Sequence, residues 1–193
     1  NYTVYPNGTA IYYNPVTNTK CESGEAVSTT GTKTGCMKWY TFNDEGANSS
    51  TVNMILDHNT TATGAYNSTK VNTEPKEVAT ALTNDTQSWN SSLNARLITA
   101  NEVAKITGNT NFDASKTGQD WFYLDSNNQT QTANASNKSK YAWLFDYTYE
   151  CTSYGCNTSD SSNYGYWTST SYKDNSTSAW RVDRNGNLRT NDV

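Results

Sequence analysis

Few residues of this 193-residue sequence are of the types that carry catalysis or bind metals. The chain has one histidine, His58, and four cysteines, so a histidine-rich metal site or a Ser-His-Asp triad has little material to draw on. His58 ends an apolar segment, and we expect it to be a hydrogen-bonded turn residue rather than a ligand or a general base.

Paired carboxyl groups are the other common catalytic arrangement. Glycoside hydrolysis needs two of them about 5–10 Å apart in a cleft. Acidic residues are present in the second half of the chain, but nothing in their spacing selects a pair. They are Asp120, Asp125, Asp146 and Glu150. We therefore predict that the protein is not an enzyme.

Three residues near the C-terminus resemble the start of a calcium-binding motif. Asp183, Asn185 and Asn187 have the spacing of the start of an EF-hand loop, but glycine is missing at the sixth position and glutamate at the twelfth. A β-hairpin explains the same residues. The prediction is that the chain has no cofactor or resident metal, with calcium as the alternative.

The four cysteines form two local pairs, Cys21 with Cys36 and Cys151 with Cys156. Four cysteines allow three connectivities, and local pairing is the simplest because both intervening stretches are loop-like. Neither spacing fits a zinc site, so we predict disulfides, with reduced thiols or a metal as the alternative. Disulfides imply an oxidising compartment. Since Asn1 is not a start methionine, we also expect a signal or anchor segment upstream.

The amino-acid composition and net charge argue against several further classes of protein. Threonine, asparagine and serine number 31, 26 and 20, whereas charged residues are only 17%. Aromatic residues reach 12%, which argues against disorder. The net charge of −4 with no basic block argues against a nucleic-acid partner, and no apolar run is long enough to insert into a membrane.

Sequons of the form Asn-x-Ser/Thr occur twelve times. They would suit glycosylation of a secreted chain, but a Thr- and Asn-rich composition produces many of them by itself. The sequons therefore leave both interpretations open.

The C-terminal third has the composition of a binding surface. Tyrosine, serine, asparagine and glycine, with a few tryptophans and arginines, supply rigid aromatic area and adaptable hydrogen bonding, as in antibody paratopes. The candidate ligand-binding residues are Tyr154, Tyr164, Tyr166, Tyr172, Asp174, Asn175, Arg181, Asp183 and Arg189. The alternative is that Tyr166 belongs to the core and that the polar residues only solvate loops. Trp143, Trp167 and Trp180 are assigned to the core.

Strands are predicted for the N-terminal third, where aromatic and β-branched residues cluster. Residues 2–5, 10–13, 37–42 and 52–56 are the four segments. A turn at Pro6-Asn7-Gly8 separates the first two.

Two helices are predicted to follow. The first covers residues 73–89, with Pro75 in the first turn, where its missing N–H costs nothing. The second begins at a T-x-x-E capping box formed by Thr99 and Glu102 and stops at Gly108.

From residue 109 the pattern returns to β structure. Residues 121–124 and 141–145 read as two aromatic strands around a polar loop, and residues 163–193 as a strand, a loop and a hairpin.

The hairpin register follows from its pattern. A two-residue turn would set Leu188 opposite Asp183, whereas a three-residue loop over 184–186, with Gly186 left-handed, sets Leu188 opposite Val182. Only the three-residue loop places apolar residues opposite apolar residues on the two strands. It turns Trp180, Val182 and Leu188 to the core and leaves Arg181, Asp183, Asn187 and Arg189 for solvent or a partner.

Residues 165–188, which read GYWTSTS…SAWRVDRNGNL, resemble the C-terminal part of C-type-lectin-like domains on bacterial surface proteins of the Firmicutes. Residues 28–40, 52–62, 95–109 and 141–148 resemble the same group, which includes secreted and prepilin-like proteins. The resemblance implies an α+β fold of the C-type-lectin-like type: mixed and antiparallel strands, two helices and a loop-rich C-terminal half, in one domain over residues 1–193.

The function that this resemblance implies is binding. We expect an extracellular module on a bacterial surface, an adhesin or the head of a pilin-like subunit, that binds a protein or glycan ligand without catalysis. The chain is also similar to the variable proteins of diversity-generating retroelements, which carry their ligand-binding surface on the final strands. Residues 164–192, rich in Tyr, Asn, Ser, Asp and Thr, resemble such a surface.

Two alternatives remain open at this stage. Related domains continue into a last strand that pairs beside the N-terminal one, and this sequence stops at Val193. Either the natural chain continues, or another chain supplies the strand, as in a self-assembling pilus or filament subunit. The other alternative is a calcium-dependent sugar-binding lectin, although Glu74-Pro75-Lys76 does not match the calcium motifs of those lectins.

Overall fold

A computed structural model of the chain describes residues 2–28, 34–60, 64–119, 121–123, 139–144, 165–183 and 186–193. Nine strands and two α-helices lie in these ranges. In chain order they are β1 (Ala10–Asn14), β2 (Thr19–Lys20), β3 (Val27–Ser28), β4 (Cys36–Phe42), β5 (Asn53–Leu56), α1 (Glu77–Thr86), α2 (Ala100–Ile106), β6 (Trp121–Tyr123), β7 (Tyr166–Ser171), β8 (Ser178–Val182) and β9 (Asn187–Asp192). The protein is therefore α+β, as predicted.

The first sheet is built around β4. One edge of β4 pairs with β1, and β2 continues the sheet beyond β1. The other edge pairs in parallel with β3 near Cys36 and antiparallel with β5 near its end. The second sheet is antiparallel, in the order β6-β9-β8-β7.

A disulfide joins Cys21 to Cys36, which are 15 positions apart in the sequence, with the two Cα atoms 5.6 Å apart. This confirms the first predicted pair, and a disulfide of this kind is typical of an oxidising environment. The second predicted pair, Cys151 and Cys156, lies outside the described residues. Among the helices in the described ranges, none has the length and hydropathy needed to cross a bilayer.

The main core brings both sheets together on α2. Its buried side chains come from β4, α2, β8, β9 and the segments between them. They are Phe42, Ile98, Ala100, Val103, Ala104, Ile106, Phe112, Leu144, Trp180, Val182 and Leu188. Trp180 is 1% exposed, and the ring of Phe112 meets it edge-on at 4.8 Å. The prediction that Trp180, Val182 and Leu188 face the core is confirmed.

Helix α2 has the predicted capping box. The Glu102 backbone N–H donates to the Thr99 hydroxyl at 3.1 Å, and the Thr99 N–H donates to the Glu102 carboxylate at 2.9 Å. The same carboxylate accepts two hydrogen bonds of 2.7 Å from Arg96. At the other end Gly108 is left-handed (φ +69°), as a helix C-terminus of this kind requires.

Helix α1 differs from its prediction. It begins at Glu77 instead of including Pro75 in its first turn, because the backbone N–H of Lys76 donates to the carbonyl of Tyr66. It ends at Thr86, and Trp89 lies beyond it with its ring 5.5 Å from that of Trp39.

Two predicted strands are absent from the described part of the chain. Residues 2–5 form no strand, since the backbone N–H of Tyr5 donates to the side chain of Asp44. Ser139–Leu144 is a 3₁₀ helix rather than the start of a strand. The segment is kinked at Tyr141, and the side chains of Tyr141 and Leu144 both pack in the main core.

Many turns are closed by asparagine side chains. In three sequons the Asn Oδ1 accepts hydrogen bonds from both the backbone N–H and the hydroxyl of the residue two positions on. These are Asn67 with Thr69, Asn90 with Ser92, and Asn175 with Thr177, at distances of 2.6–3.0 Å. At these three positions the Asn-x-Ser/Thr pattern forms a turn.

The capping box provides a test of the fold. Thr99→Ala removes the acceptor for the Glu102 N–H and should lower the free energy of unfolding by about 1 kcal/mol, measured by urea denaturation. Thr99→Ser keeps the hydroxyl and should stay within a few tenths of a kcal/mol of the wild type. Equal stabilities for the alanine and serine variants would contradict this role.

Candidate functional site

The β8–β9 hairpin has the predicted register. Val182 pairs with Leu188 and Trp180 with Thr190, and Gly186 is left-handed with φ +75°. The Gly186 N–H donates to the carbonyl of Asp183 at 3.1 Å. The three-residue loop is therefore confirmed, and neighbouring residues of β8 and β9 alternate between the core and the outer face of the sheet.

The outer face carries a row of large side chains. Trp167 on β7 is the Cα partner of Arg181 on β8, which is in turn the partner of Arg189 on β9. Residues directly opposite each other in antiparallel strands lie on the same side of the sheet. We call the surface formed by Trp167, Arg181 and Arg189 the arginine face. On the next strand, the Cα partner of Arg189 is residue Trp121 of β6.

Part of the outer face is covered. Tyr66 is 0% exposed and packs with Ala179 and Val193, while its ring meets Trp167 edge-on at 5.5 Å. Trp167 is therefore half-buried at the boundary between the covered part and the arginine face. Arg181 is also half-buried, whereas the side chain of Arg189 is 46% exposed.

Gly165 fixes how the chain enters this sheet. Its φ is +104°, and a Cβ there would lie 1.9 Å from the carbonyl oxygen of Val182. Only glycine allows β7 to approach β8 this closely, which accounts for the glycine of the GYW sequence.

Asp183 and Asn187 are not available to a partner, contrary to prediction. They are 3% and 5% exposed. The Asp183 carboxylate accepts hydrogen bonds from the backbone N–H (3.0 Å) and the side-chain amide (3.2 Å) of Asn187. This carboxylate closes the hairpin, and it lies 4.0 Å from a guanidinium nitrogen of Arg189.

Tyr166 belongs to the core side of β7. Its hydroxyl donates to the carbonyl of Leu144 at 2.8 Å, and its ring packs against the main core. Burial raises the pKa of this phenol well above its ordinary value. Of the two alternatives for Tyr166, the structure favours the core.

Three more of the candidate ligand-binding residues lie in the loop between β7 and β8: Tyr172, Asp174 and Asn175. Tyr172 packs edge-on against Trp180 at 5.9 Å. Asp174 accepts a hydrogen bond of 2.5 Å from the N–H of Gly118, and Asn175 closes the turn to Thr177. Asp174 and Asn175 are exposed but held in place. The last two candidates, Tyr154 and Tyr164, lie outside the described residues.

Asn72 holds this loop from beneath. Its side-chain nitrogen Nδ2 lies 2.8, 2.8 and 2.6 Å from the carbonyl oxygens of Tyr172, Asn175 and Ser178, which share its two N–H donors. Its backbone N–H donates to the carbonyl of Ser176 at 2.8 Å. Asn72 is 8% exposed, so these bonds are shielded from water. No sequence motif marks this contact, because it joins residues about 100 positions apart.

His58 has the role expected from its sequence. Its Nδ1 lies 2.6 Å from the carboxylate of Asp57, whose side chain is 3% exposed. Burial raises the pKa of Asp57, but hydrogen bonds from His58 and Tyr40 outweigh it, and the pKa is lower than usual. Asn59 ties the same segment to β7 through the carbonyl of Gly165.

Among the described residues, one group of three side chains has metal-ligating atoms close enough together to share an ion: Cys21, Glu25 and Cys36. Its two sulfur atoms are joined in the disulfide. The EF-hand-like residue Asp183 instead bonds to Asn187 within the hairpin.

The loop anchor can be tested through Asn72→Ala. Loss of the amide removes the side-chain hydrogen bonds that hold the loop, and it should lower the free energy of unfolding by about 1–3 kcal/mol. Amide hydrogen exchange of residues 173–177 should become faster, as measured by mass spectrometry. Asn84→Ala, at an exposed position of α1, is the matched control and should leave the exchange of residues 173–177 unchanged. Unchanged exchange in the Asn72 variant would show that the loop is held by other contacts.

The lowered pKa of Asp57 predicts that the free energy of unfolding depends on pH. Because the pKa of its carboxyl is lower in the folded than in the unfolded chain, its contribution is present above pH ~4 and is lost as the pH falls through the folded-state pKa. Urea unfolding between pH 7 and pH 3 should therefore show a shallower loss of stability for Asp57→Asn than for the wild type. Glu45→Gln, at an exposed position, is the control. Parallel curves for Asp57→Asn and the wild type would be evidence against this contribution.

Comparison of the chain with models of protein families, with curated proteins and with solved structures finds no match.

Proposed function

We propose that the protein is an extracellular, non-catalytic binding module of the C-type-lectin-like type, an adhesin or the head of a pilin-like subunit. The ligand would be a protein or glycan on another cell or surface, and it would bind on the arginine face and the adjoining loops. The order of elements supports the proposed fold: an N-terminal sheet, two helices and a second sheet that ends in a hairpin.

The arginine face is the observation that carries this proposal. Arg181, Arg189 and Trp167 meet on one side of a sheet whose opposite side is anchored in the core. Tryptophan and arginine are the residues most often found at the energetic centres of interfaces. Because β-strands hold the backbone of all three residues, the main chain of the site does not have to become ordered when a ligand binds.

The disulfide supports an extracellular location for the module. It joins Cys21, just after β2, to the first residue of β4, and such bonds persist in oxidising surroundings. The polar, weakly charged composition suits a protein that works in water outside a cell.

The proposed site can be tested with Arg181→Ala/Arg189→Ala. Ligands of the wild-type chain would first be identified by pull-down from cell surfaces and by glycan array. The double variant should bind them at least about tenfold more weakly, since each arginine removed costs roughly 1 kcal/mol or more.

Lys105→Ala is the matched control, because this exposed cation is on α2, which packs on the core side of the sheet. Its affinity should equal that of the wild type. Binding that survives the double change would exclude the arginine face as the site, and turnover of a bound ligand would contradict a non-catalytic module.

A further inference from the structure

One face of the first sheet carries aromatic side chains beside a lysine. Tyr12 on β1 is the Cα partner of Lys38 on β4. In the same register Ala10 is opposite Tyr40. Residues directly opposite each other, and residues two apart on one strand, lie on the same side of a sheet. All four side chains therefore share one face, and the small one of Ala10 leaves room between its larger neighbours.

Trp143 lies between this face and the main core. Its ring is 5.5 Å from that of Tyr40, and the side chain is half-buried against the core. A Cβ on Gly8 would lie 2.9 Å from the indole Nε1, and the φ of Gly8 is +81°. Glycine, which has no side chain, lets the indole lie this close to the turn before β1. The fold therefore fixes the position of Trp143.

Three polar groups on this face have no hydrogen-bond partner among the residues that the structure describes. They are the hydroxyl of Tyr12, the ammonium of Lys38 and the indole N–H of Trp143. Tyr12 is 46% exposed, and the half-buried Lys38 places its Nζ 5.2 Å from the centre of the Tyr40 ring. Three hydrogen-bond donors and two aromatic surfaces are therefore available to one ligand.

The charge of Lys38 is offset by a carboxylate nearby. Burial raises the pKa of Asp57, but hydrogen bonds from His58 and Tyr40, together with the charges of His58 and Lys38, lower it overall. The side chain of Asp57 is 3% exposed and stays bound to His58 at 2.6 Å. A ligand on this face therefore needs oxygen atoms that accept hydrogen bonds, and it needs no charge of its own.

We infer that Tyr12, Lys38, Tyr40 and Trp143, which we call the tyrosine face, form a second binding site whose ligand is a neutral saccharide. The apolar side of the sugar ring packs on Tyr12, and the sugar hydroxyls accept hydrogen bonds from Lys38 and Trp143. An apolar peptide would leave these donors unpaired, which is costly. This site is on the first sheet, whereas the arginine face is on the second.

A glycan array and calorimetry on the full chain test this inference. The probes are cellohexaose, chitohexaose, mannohexaose and xylohexaose, which are neutral and differ in their substituents. The wild type should bind at least one of them on the array, and calorimetry then measures its affinity. Because the ligand is uncharged, added sodium chloride should not weaken binding.

Two positions on the tyrosine face provide the variants. Tyr12→Ala removes the ring and should weaken binding at least about fivefold, whereas Tyr12→Phe keeps the ring and should lose less. Lys38→Met keeps an apolar side chain of similar length without the donors and should lose at least about tenfold, because hydrogen bonds to charged groups are strong.

Tyr2→Ala is the matched control. Tyr2 is 45% exposed, and its hydroxyl bonds to Asp44 beyond the far end of β4 from Lys38. This variant should bind the sugar as the wild type does. Thermal unfolding checks that each variant is folded.

Arg181→Ala/Arg189→Ala separates this inference from the proposed function. Ligands of the arginine face depend on the two arginines, whereas the neutral saccharide should bind the double variant with unchanged affinity. Loss of sugar binding in the double variant would place the sugar on the arginine face and overturn the second site.

The other outcomes are equally decisive. Full affinity in Tyr12→Ala or in Lys38→Met would overturn the tyrosine face as the site. Binding of none of the neutral probes, or tighter binding of acidic glycans than of neutral ones, would overturn the neutral saccharide. Retention of a cell-surface protein that depends on Tyr12, without any glycan binding, would replace the saccharide with a protein ligand.

Discussion

The register of the β8–β9 hairpin is the constraint on which the rest of this protein depends. Three residues in the loop, rather than two, turn Val182 and Leu188 inward and Arg181 and Arg189 outward. Because side chains alternate along a strand, a shift by one residue would bury the arginines and expose the apolar pair. The buried carboxylate of Asp183, bonded to Asn187, and the left-handed Gly186 fix this choice. The register of this hairpin therefore determines both which residues pack in the core and which residues form the candidate site.

Long-range polar contacts then give the site its rigidity. Asn72 holds the β7–β8 loop, Asp174 ties the loop to Gly118, and Lys173 donates to the carbonyl of Ser115 at 2.6 Å. Asn59 joins the end of β5 to the start of β7. These bonds let exposed loops behave as extensions of the sheet. A surface whose loops are already ordered loses less conformational entropy when a ligand binds.

Local patterns in the sequence predicted local structure well. The capping box of α2 and the register of the hairpin need only a few adjacent residues, and the structure confirms both. The strand predicted over 141–145 failed because tertiary packing of Tyr141 and Leu144 overrides the β preference of an aromatic run. The sequence pattern could not show that Asp183 is buried in its turn. The alignment of Trp167 with Arg181 could have been found by extending the hairpin register to the next strand, but a bulge in β7 hides it.

The asparagine turns have a consequence for the medium in which the protein can work. In the turns at Asn67, Asn90 and Asn175, both the acceptor and the donors are uncharged at every ordinary pH. Turns held by ion pairs would loosen in brine or acid, as Debye screening and protonation removed the attraction. Amide and hydroxyl groups have no charge to lose, so added salt and mild acid leave the hydrogen bonds within these three turns intact.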